Sequence, residues 1–131
     1  MRKIRIYVAG RTSFVKKHND LKKYLESNLR CEVYLPHELV PLDTPKDELP
    51  IEVFTKCVKH MDKADIVIAD VSIYGKDTAW EMGYLYGMNK KVVGFTSNEK
   101  YGFDFMVRGG LTHIAKKKEE IIEIIEKEVK T

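Results

Sequence analysis

The chain has 131 residues, a formal net charge of +3, and hydrophobic and charged fractions of 44% and 33%. That length allows one sizeable core and is too short for two ordinary domains, so a single domain over 1–131 is expected. The composition fits a soluble globular protein; the mild charge and dispersed basic residues give no argument for nucleic acid, and no apolar run is long enough to span a membrane.

The opening Met1-Arg2-Lys3-Ile4-Arg5-Ile6 has no long apolar stretch after its charges, so no signal peptide is read and a cytoplasmic protein is expected. Lys3 to Ala9 alternates apolar and polar residues up to Gly10 and predicts a first strand. Thr12 or Ser13 caps a helix in which Phe14, Leu21, Tyr24, Leu25 and Leu29 recur at helical spacing. Cys31 to Leu35 is a second strand. Pro36 to Leu49, with three prolines, reads as a long loop of the kind that often carries function. A helix starting near Pro50 carries Val53, Phe54, Val58 and Met61.

Asp65 to Val71 is apolar nearly throughout, as befits a central parallel strand buried on both faces. A helix from about Asp77 to Met88 follows, then a strand from Lys91 to Phe95, an irregular glycine-rich segment from Thr96 to Gly110, and a short strand from Leu111 to Ala115. The last helix, Lys117 to Val129, sets Ile121, Ile122, Ile125 and Val129 on one face. This alternation predicts an α/β, flavodoxin-like, doubly wound sheet of five parallel strands in order 2-1-3-4-5, with helices on both faces.

Ligands in such sheets bind beyond the carboxyl ends of the strands, where the strand order reverses. Two segments should meet there. One is Ala9-Gly10-Arg11-Thr12-Ser13. The other runs from Asp70-Val71-Ser72 through Tyr74-Gly75-Lys76-Asp77 to Trp80-Glu81. Gly10 either lets backbone approach a ligand or only makes a tight turn. Thr78-Ala79-Trp80-Glu81 has the spacing of a capping box, and spacing alone favours that role for Glu81. Asp77 and Glu81, four apart, share a helical face. Trp80, Tyr84 and Tyr86 read as core and packing surface, although Trp80 or Tyr7 could stack on a base. Cys57-x-x-His60 provides two ligands with no second pair, so neither a metal nor a cofactor is expected.

Three blocks resemble the nucleoside 2-deoxyribosyltransferase family, which includes nucleoside 5′-monophosphate N-glycosidases: Ile6-Tyr7-Val8-Ala9-Gly10, Ala64-Asp65-Ile66-Val67-Ile68-Ala69-Asp70, and Asp77-Thr78-Ala79-Trp80-Glu81-Met82-Gly83-Tyr84. Phe103-Asp104-Phe105-Met106-Val107-Arg108-Gly109-Gly110 looks like a further block. The resemblance implies that Glu81 is the nucleophile on the anomeric carbon and that Tyr7 positions it. It also implies that Asp104 reaches a neighbouring subunit's site and binds the sugar's 5′ end. Gly10, Arg11, Asp70, Ser72 and Asp77 are then expected around the substrate.

The sequence departs from the family pattern at Cys57, where a base-contacting acid is usual. A second departure is Gly75, at a position often acidic in the transferases. Asp104 would repel a 5′-phosphate, which favours nucleosides over nucleotides. The expected activity is cleavage or transfer of the N-glycosidic bond of a 2′-deoxynucleoside, with an acceptor base as second substrate in the case of transfer. Monophosphate hydrolysis and a non-catalytic nucleotide-sensing module are the alternatives. A homodimer or higher homo-oligomer is expected from the apolar side chains Phe95, Tyr101, Phe103, Phe105 and Met106, together with Trp80, Tyr84 and Met88 on one helix.

Overall fold

The computed structural model describes residues 2–11, 13–41, 43–72, 74–96 and 105–130. Strands β1 (Ile4–Ala9), β2 (Cys31–Tyr34), β3 (Ile66–Asp70), β4 (Val92–Phe95) and β5 (His113–Ala115) form one sheet in order β2-β1-β3-β4-β5. Every pairing is parallel, and β1 meets β3 with Tyr7 opposite Val67 and Ala9 opposite Ala69. The helices are α1 (Val15–Asn28), α2 (Pro36–Leu39), α3 (Leu49–Lys63), α4 (Lys76–Gly87), α5 (Phe105–Gly109) and α6 (Lys118–Lys130). Among the described residues, none of them is long and apolar enough to cross a membrane.

Strand alternation divides the core between the two faces of the sheet. Ile6, Val8, Ile66 and Ile68 point to one side, where Leu21 and Leu25 of α1 and Ile121 and Ile125 of α6 cover them. Tyr7, Ala9, Val67 and Ala69 point to the other, against Cys57 and Met61 of α3 and Met82 and Leu85 of α4. A strand buried on both faces loses its polar alternation, hence the apolar run at β3.

Local chemistry shifts several predicted boundaries. The expected loop after β2 begins with a helical turn, α2, with Pro36 in its first positions. The irregular segment ends in the short helix α5, and its residues 97–104 lie outside the described residues. The N-cap of α1 falls one residue beyond the expected Ser13. Phe14 is its N-cap, with no side-chain capping bond, because Ser13 lies in a turn closed by the Phe14 N–H on the Arg11 carbonyl at 3.0 Å. Thr12, the other expected cap, lies outside the described residues. On α6, Ile121 and Ile125 are fully buried, but Val129 reaches the end of the sheet and is half-exposed.

Asp70, at the end of β3, is fully buried on the α1 side of the sheet. Its Oδ2 lies 2.8 Å from both Lys17 Nζ and His18 Nε2, and its Oδ1 accepts the Ser72 N–H at 3.1 Å. Lys17 also donates to Ser72 Oγ at 3.2 Å. Burial alone would raise the Asp70 pKa, but the bonds from His18 and Lys17 outweigh it and hold the group down at about 2. A buried carboxylate is tolerable only with partners of this kind.

The network explains Gly10. A Cβ there would stand 2.8 Å from His18 Cε1 and 3.1 Å from Asp70 Cβ. Its backbone φ is not positive, so the requirement is space and not a left-handed turn. Gly10→Ala is expected to destabilise the protein by about 1–3 kcal/mol by displacing the His18 ring. Urea denaturation of the variant checks this; a midpoint equal to that of the parent would refute it.

Candidate active site

An open cleft of about 980 Å³ lies at the carboxyl end of β1, between α3 and α4. The end of β1 and its following turn contribute Tyr7, Gly10, Arg11 and Ser13. Helix α4 contributes its first two turns, including Asp77, Trp80 and Glu81. Helix α3 supplies a long wall of Pro50, Val53, Phe54, Cys57, Val58 and Met61, which recur at helical spacing and so form one face. A second hollow, of about 570 Å³, opens at the amino ends of the strands. Most of its ionic side chains are already engaged: Arg2 pairs with Asp65 at 2.8 Å, Lys91 with Glu128, and Lys90 donates to the Asp62 and Ala64 carbonyls. The cleft is the better candidate, because it lies where the strand order reverses and holds a strongly perturbed carboxyl group.

That carboxyl is Glu81. The Tyr7 hydroxyl donates to Glu81 Oε2 at 2.6 Å, a bond short enough to be charge-assisted. Tyr7 reaches it because strand alternation turns residue 7 toward α4, while its ring is fully buried beneath the cleft floor. The ring therefore has no face to offer a base, and its hydroxyl serves Glu81. Burial raises the Glu81 pKa to about 7; the nearby Asp77 charge adds to the rise, and the Tyr7 bond opposes it. Burial, with the Glu81 charge, also drives the Tyr7 pKa far up, so the phenol stays a proton donor. The Cys57 thiol beside them is raised, by burial first, so it too is held protonated.

The expected capping box does not form. Helix α4 starts at Lys76 with Gly75 as N-cap, which puts Thr78 inside the first turn and buried, with no side-chain capping bond. Glu81 is left for Tyr7. Of the α4 aromatics, Tyr84 packs partly buried against the core, and the other two stay at the surface. Trp80 and Tyr86 are 51% and 69% exposed; Trp80 stacks on Tyr84 at 5.5 Å and meets Phe54 edge-on at 5.6 Å. The helix's buried face is taken by Met82 and Leu85.

Of the residues expected around the substrate, Tyr7, Gly10, Arg11, Asp77 and Glu81 line the cleft. Asp70 and Ser72 do not: both are buried and tied to Lys17. The period of two already implied this for Asp70, since it shares a strand face with Ile66 and Ile68 while Tyr7 faces the other way. Asp104 lies outside the described residues. Nothing in the local sequence marks His18 and Lys17 as partners of Asp70. For α3 as a wall of the cleft, the spacing of Pro50, Val53, Phe54, Cys57, Val58 and Met61 is the available signal. Among the described residues, no three His, Cys, Asp or Glu side chains converge as a metal site.

The family described as nucleoside 2-deoxyribosyltransferase matches residues 6–120. Among solved structures, the 2-deoxyribosyltransferase of Bacillus psychrosaccharolyticus is similar, with a TM-score of 0.71 and 23% identity over 89% of each chain. A conserved protein from Enterococcus faecalis V583 gives a TM-score of 0.75 at 16% identity, covering 95% of this chain and 98% of its own. The CMP N-glycosidase BcmB of Clostridium botulinum gives 0.60 at 19%, covering 93% and 97%. At these identities the likeness is one of fold. No curated protein sequence matches the chain.

The raised pKa of Glu81 has a consequence for stability. A carboxyl whose folded pKa lies above its unfolded value destabilises the fold as pH rises from about 4.5 toward 7, and the full cost holds above that. Glu81→Gln keeps an acceptor for Tyr7 and removes this cost. The variant is expected to be more stable than the parent at pH 8, by on the order of 2 kcal/mol, and near parity at pH 4. Thermal denaturation at both pH values measures it; an equal effect at each would contradict the assignment.

Proposed function

This chain belongs to the nucleoside 2-deoxyribosyltransferase family, and we propose that it breaks the N-glycosidic bond of a 2′-deoxynucleoside in two displacements, with Glu81 as nucleophile. The observation that carries this reading is the Tyr7 hydroxyl 2.6 Å from Glu81 at the base of the cleft. Tyr7 engages Oε2 and leaves Oε1 for the anomeric carbon. A carboxylate oxygen attacks that carbon, the base departs, and a glycosyl ester of Glu81 remains. An acceptor base or water then attacks the same carbon and frees the carboxylate, so the two inversions restore the original configuration.

Arg11, Gly10 and Asp77 surround the sugar in this scheme, and Asp104 of a neighbouring subunit closes it at the 5′ end. Asp70 and Ser72 act at one remove, holding Lys17 and His18 and with them the turn after β1. The 2-deoxyribosyltransferase and CMP N-glycosidase among the similar structures carry activities of these two kinds. A transferring enzyme would serve nucleoside salvage. A second reading, hydrolysis of nucleoside 5′-monophosphates, draws on Arg11, Lys46 and Lys76, cations that line the mouth of the cleft.

Incubation with a panel of deoxynucleosides and their monophosphates, with and without an acceptor base, followed by chromatography, tests both readings. A released or exchanged base supports the proposal; an unchanged panel overturns it. Glu81→Gln is expected to lower kcat by at least about 1,000-fold, and a near-normal rate would remove Glu81 from the nucleophile's role. Because the carboxyl must be ionised to attack, kcat/KM should rise with pH through about 7. Tyr7→Phe removes the bond that lowers the Glu81 pKa. It should therefore move this rise to higher pH and slow turnover by roughly 10- to 100-fold, as expected for a hydrogen bond to a charged group. An unmoved profile would show that Tyr7 does not tune Glu81.

A further inference from the structure

A nucleophile accounts for half of a displacement; the departing base needs its own provision. Neutral purines and pyrimidines leave well only when a ring atom is protonated as the bond breaks, and a positioned acid contributes roughly 100- to 10,000-fold to such steps. Glu81 and Asp77 both belong to α4, so the described carboxyl groups of the cleft stand on the attacking side. The other long wall is α3. Its lining residues Val53, Phe54, Cys57, Val58 and Met61 include neither a carboxyl nor an imidazole. His60, the imidazole on that helix, bonds the Lys56 carbonyl at 2.8 Å and packs edge-on against Tyr34, away from the cleft. The cations Arg11, Lys46 and Lys76 stand exposed at the mouth. Cys57 is the α3 side chain in electrostatic contact with Tyr7 and Glu81, and its buried thiol is a poor acid.

Resting on the reading that Glu81 attacks an N-glycosidic bond, we propose that this cleft takes nucleosides whose base bears a fixed positive charge, such as an N7-alkylated purine, and that Cys57 in the α3 wall sets that preference. The chemistry balances without an acid. A Glu81 oxygen bonds to the anomeric carbon, the C–N bond breaks, and its electron pair neutralises the ring, which leaves as an uncharged molecule. Water then attacks the glycosyl ester, releasing the sugar, the Glu81 carboxylate and one proton. The rim suits such a ring. Phe54 and Trp80 line the cleft, 56% and 51% exposed with ring centroids 5.6 Å apart; Trp80 is stacked on Tyr84 on one side, and the exposed remainder of the pair is aromatic surface on which a cation can lie.

The test compares 2′-deoxyguanosine with 7-methyl-2′-deoxyguanosine, the same nucleoside with and without the fixed charge. Each is measured with the full chain and corrected for its rate without protein. The methylated nucleoside is expected to be favoured in kcat/KM by at least about 100-fold, the scale of an absent general acid. Cys57→Asp places a carboxyl on the leaving-group wall and should narrow that ratio at least about tenfold. Cys57→Ser, which adds no acid, should retain it. Turnover of the two nucleosides within about tenfold of each other overturns the preference while leaving the proposed function standing. So does a folded Cys57→Asp protein with an unmoved ratio, or a Cys57→Ser protein that loses the preference. Cleavage of neither nucleoside, with no base released from the wider panel, overturns the proposed function as well.

Discussion

The arrangement of this protein depends on one buried carboxylate. Asp70 ends the central strand with no exposure to solvent, and its charge is tolerable only because Lys17, His18 and the Ser72 backbone converge on it. Those partners come from the first turn of α1 and from the chain leaving β3. The pairings therefore fix how the β1–α1 turn sits against the end of β3. The same crowding leaves no room for a side chain at residue 10. The turn that borders the cleft inherits its position from an interaction on the opposite face of the sheet.

Across the sheet, the geometry sets a second carboxyl in the opposite condition. Asp70 is held ionised by cationic partners; Glu81 is partly buried with one neutral donor and another carboxylate nearby, and its pKa is driven up to about 7. Two acids within one small domain are thus separated in pKa by their surroundings alone, a pattern that distinguishes a structural anion from a group poised for chemistry. The fold tolerates the cost at Glu81 because the β1–β3 core and the Asp70 network stabilise the frame around it. Carboxyl groups at reactive sites commonly carry such a cost.

Family membership and local geometry support the functional reading at different levels. The family match spans nearly the whole chain, whereas the similar solved structures share less than a quarter of its residues and testify to the fold. What is particular to this chain is the cleft wall. Helix α3 turns an apolar face with one thiol toward Tyr7 and Glu81, and an aromatic pair stands exposed beside it. If Glu81 attacks the glycosidic bond as proposed, the Tyr7–Glu81 pair forms the bond-breaking end, and the character of α3 bears on which base can leave.

Much of this was legible from residues in order. Period-two alternation marked β1, the unbroken apolar run marked β3, and the helical repeat of isoleucines marked α6; together they determined the parallel sheet and its order. The blocks around Tyr7 and Glu81 pointed to the residues that meet in the cleft, although local spacing by itself favoured a cap for Glu81. A capping motif is a short-range pattern, and Gly75 began the helix three residues earlier than that pattern assumed. The sequence likewise placed Asp70 near the switch point, but strand pleating turned it to the far side, where α1 brings Lys17 and His18. The sequence by itself therefore determined the five strands, the four long helices, their order and the identity of the central pair, because hydrophobic periodicity and strand connectivity act along the chain. Only the tertiary structure decided which carboxyl is paired and which is raised, and which helix walls the cleft. Those properties depend on burial and on partners many residues apart, brought together when the sheet packs between its two layers of helices.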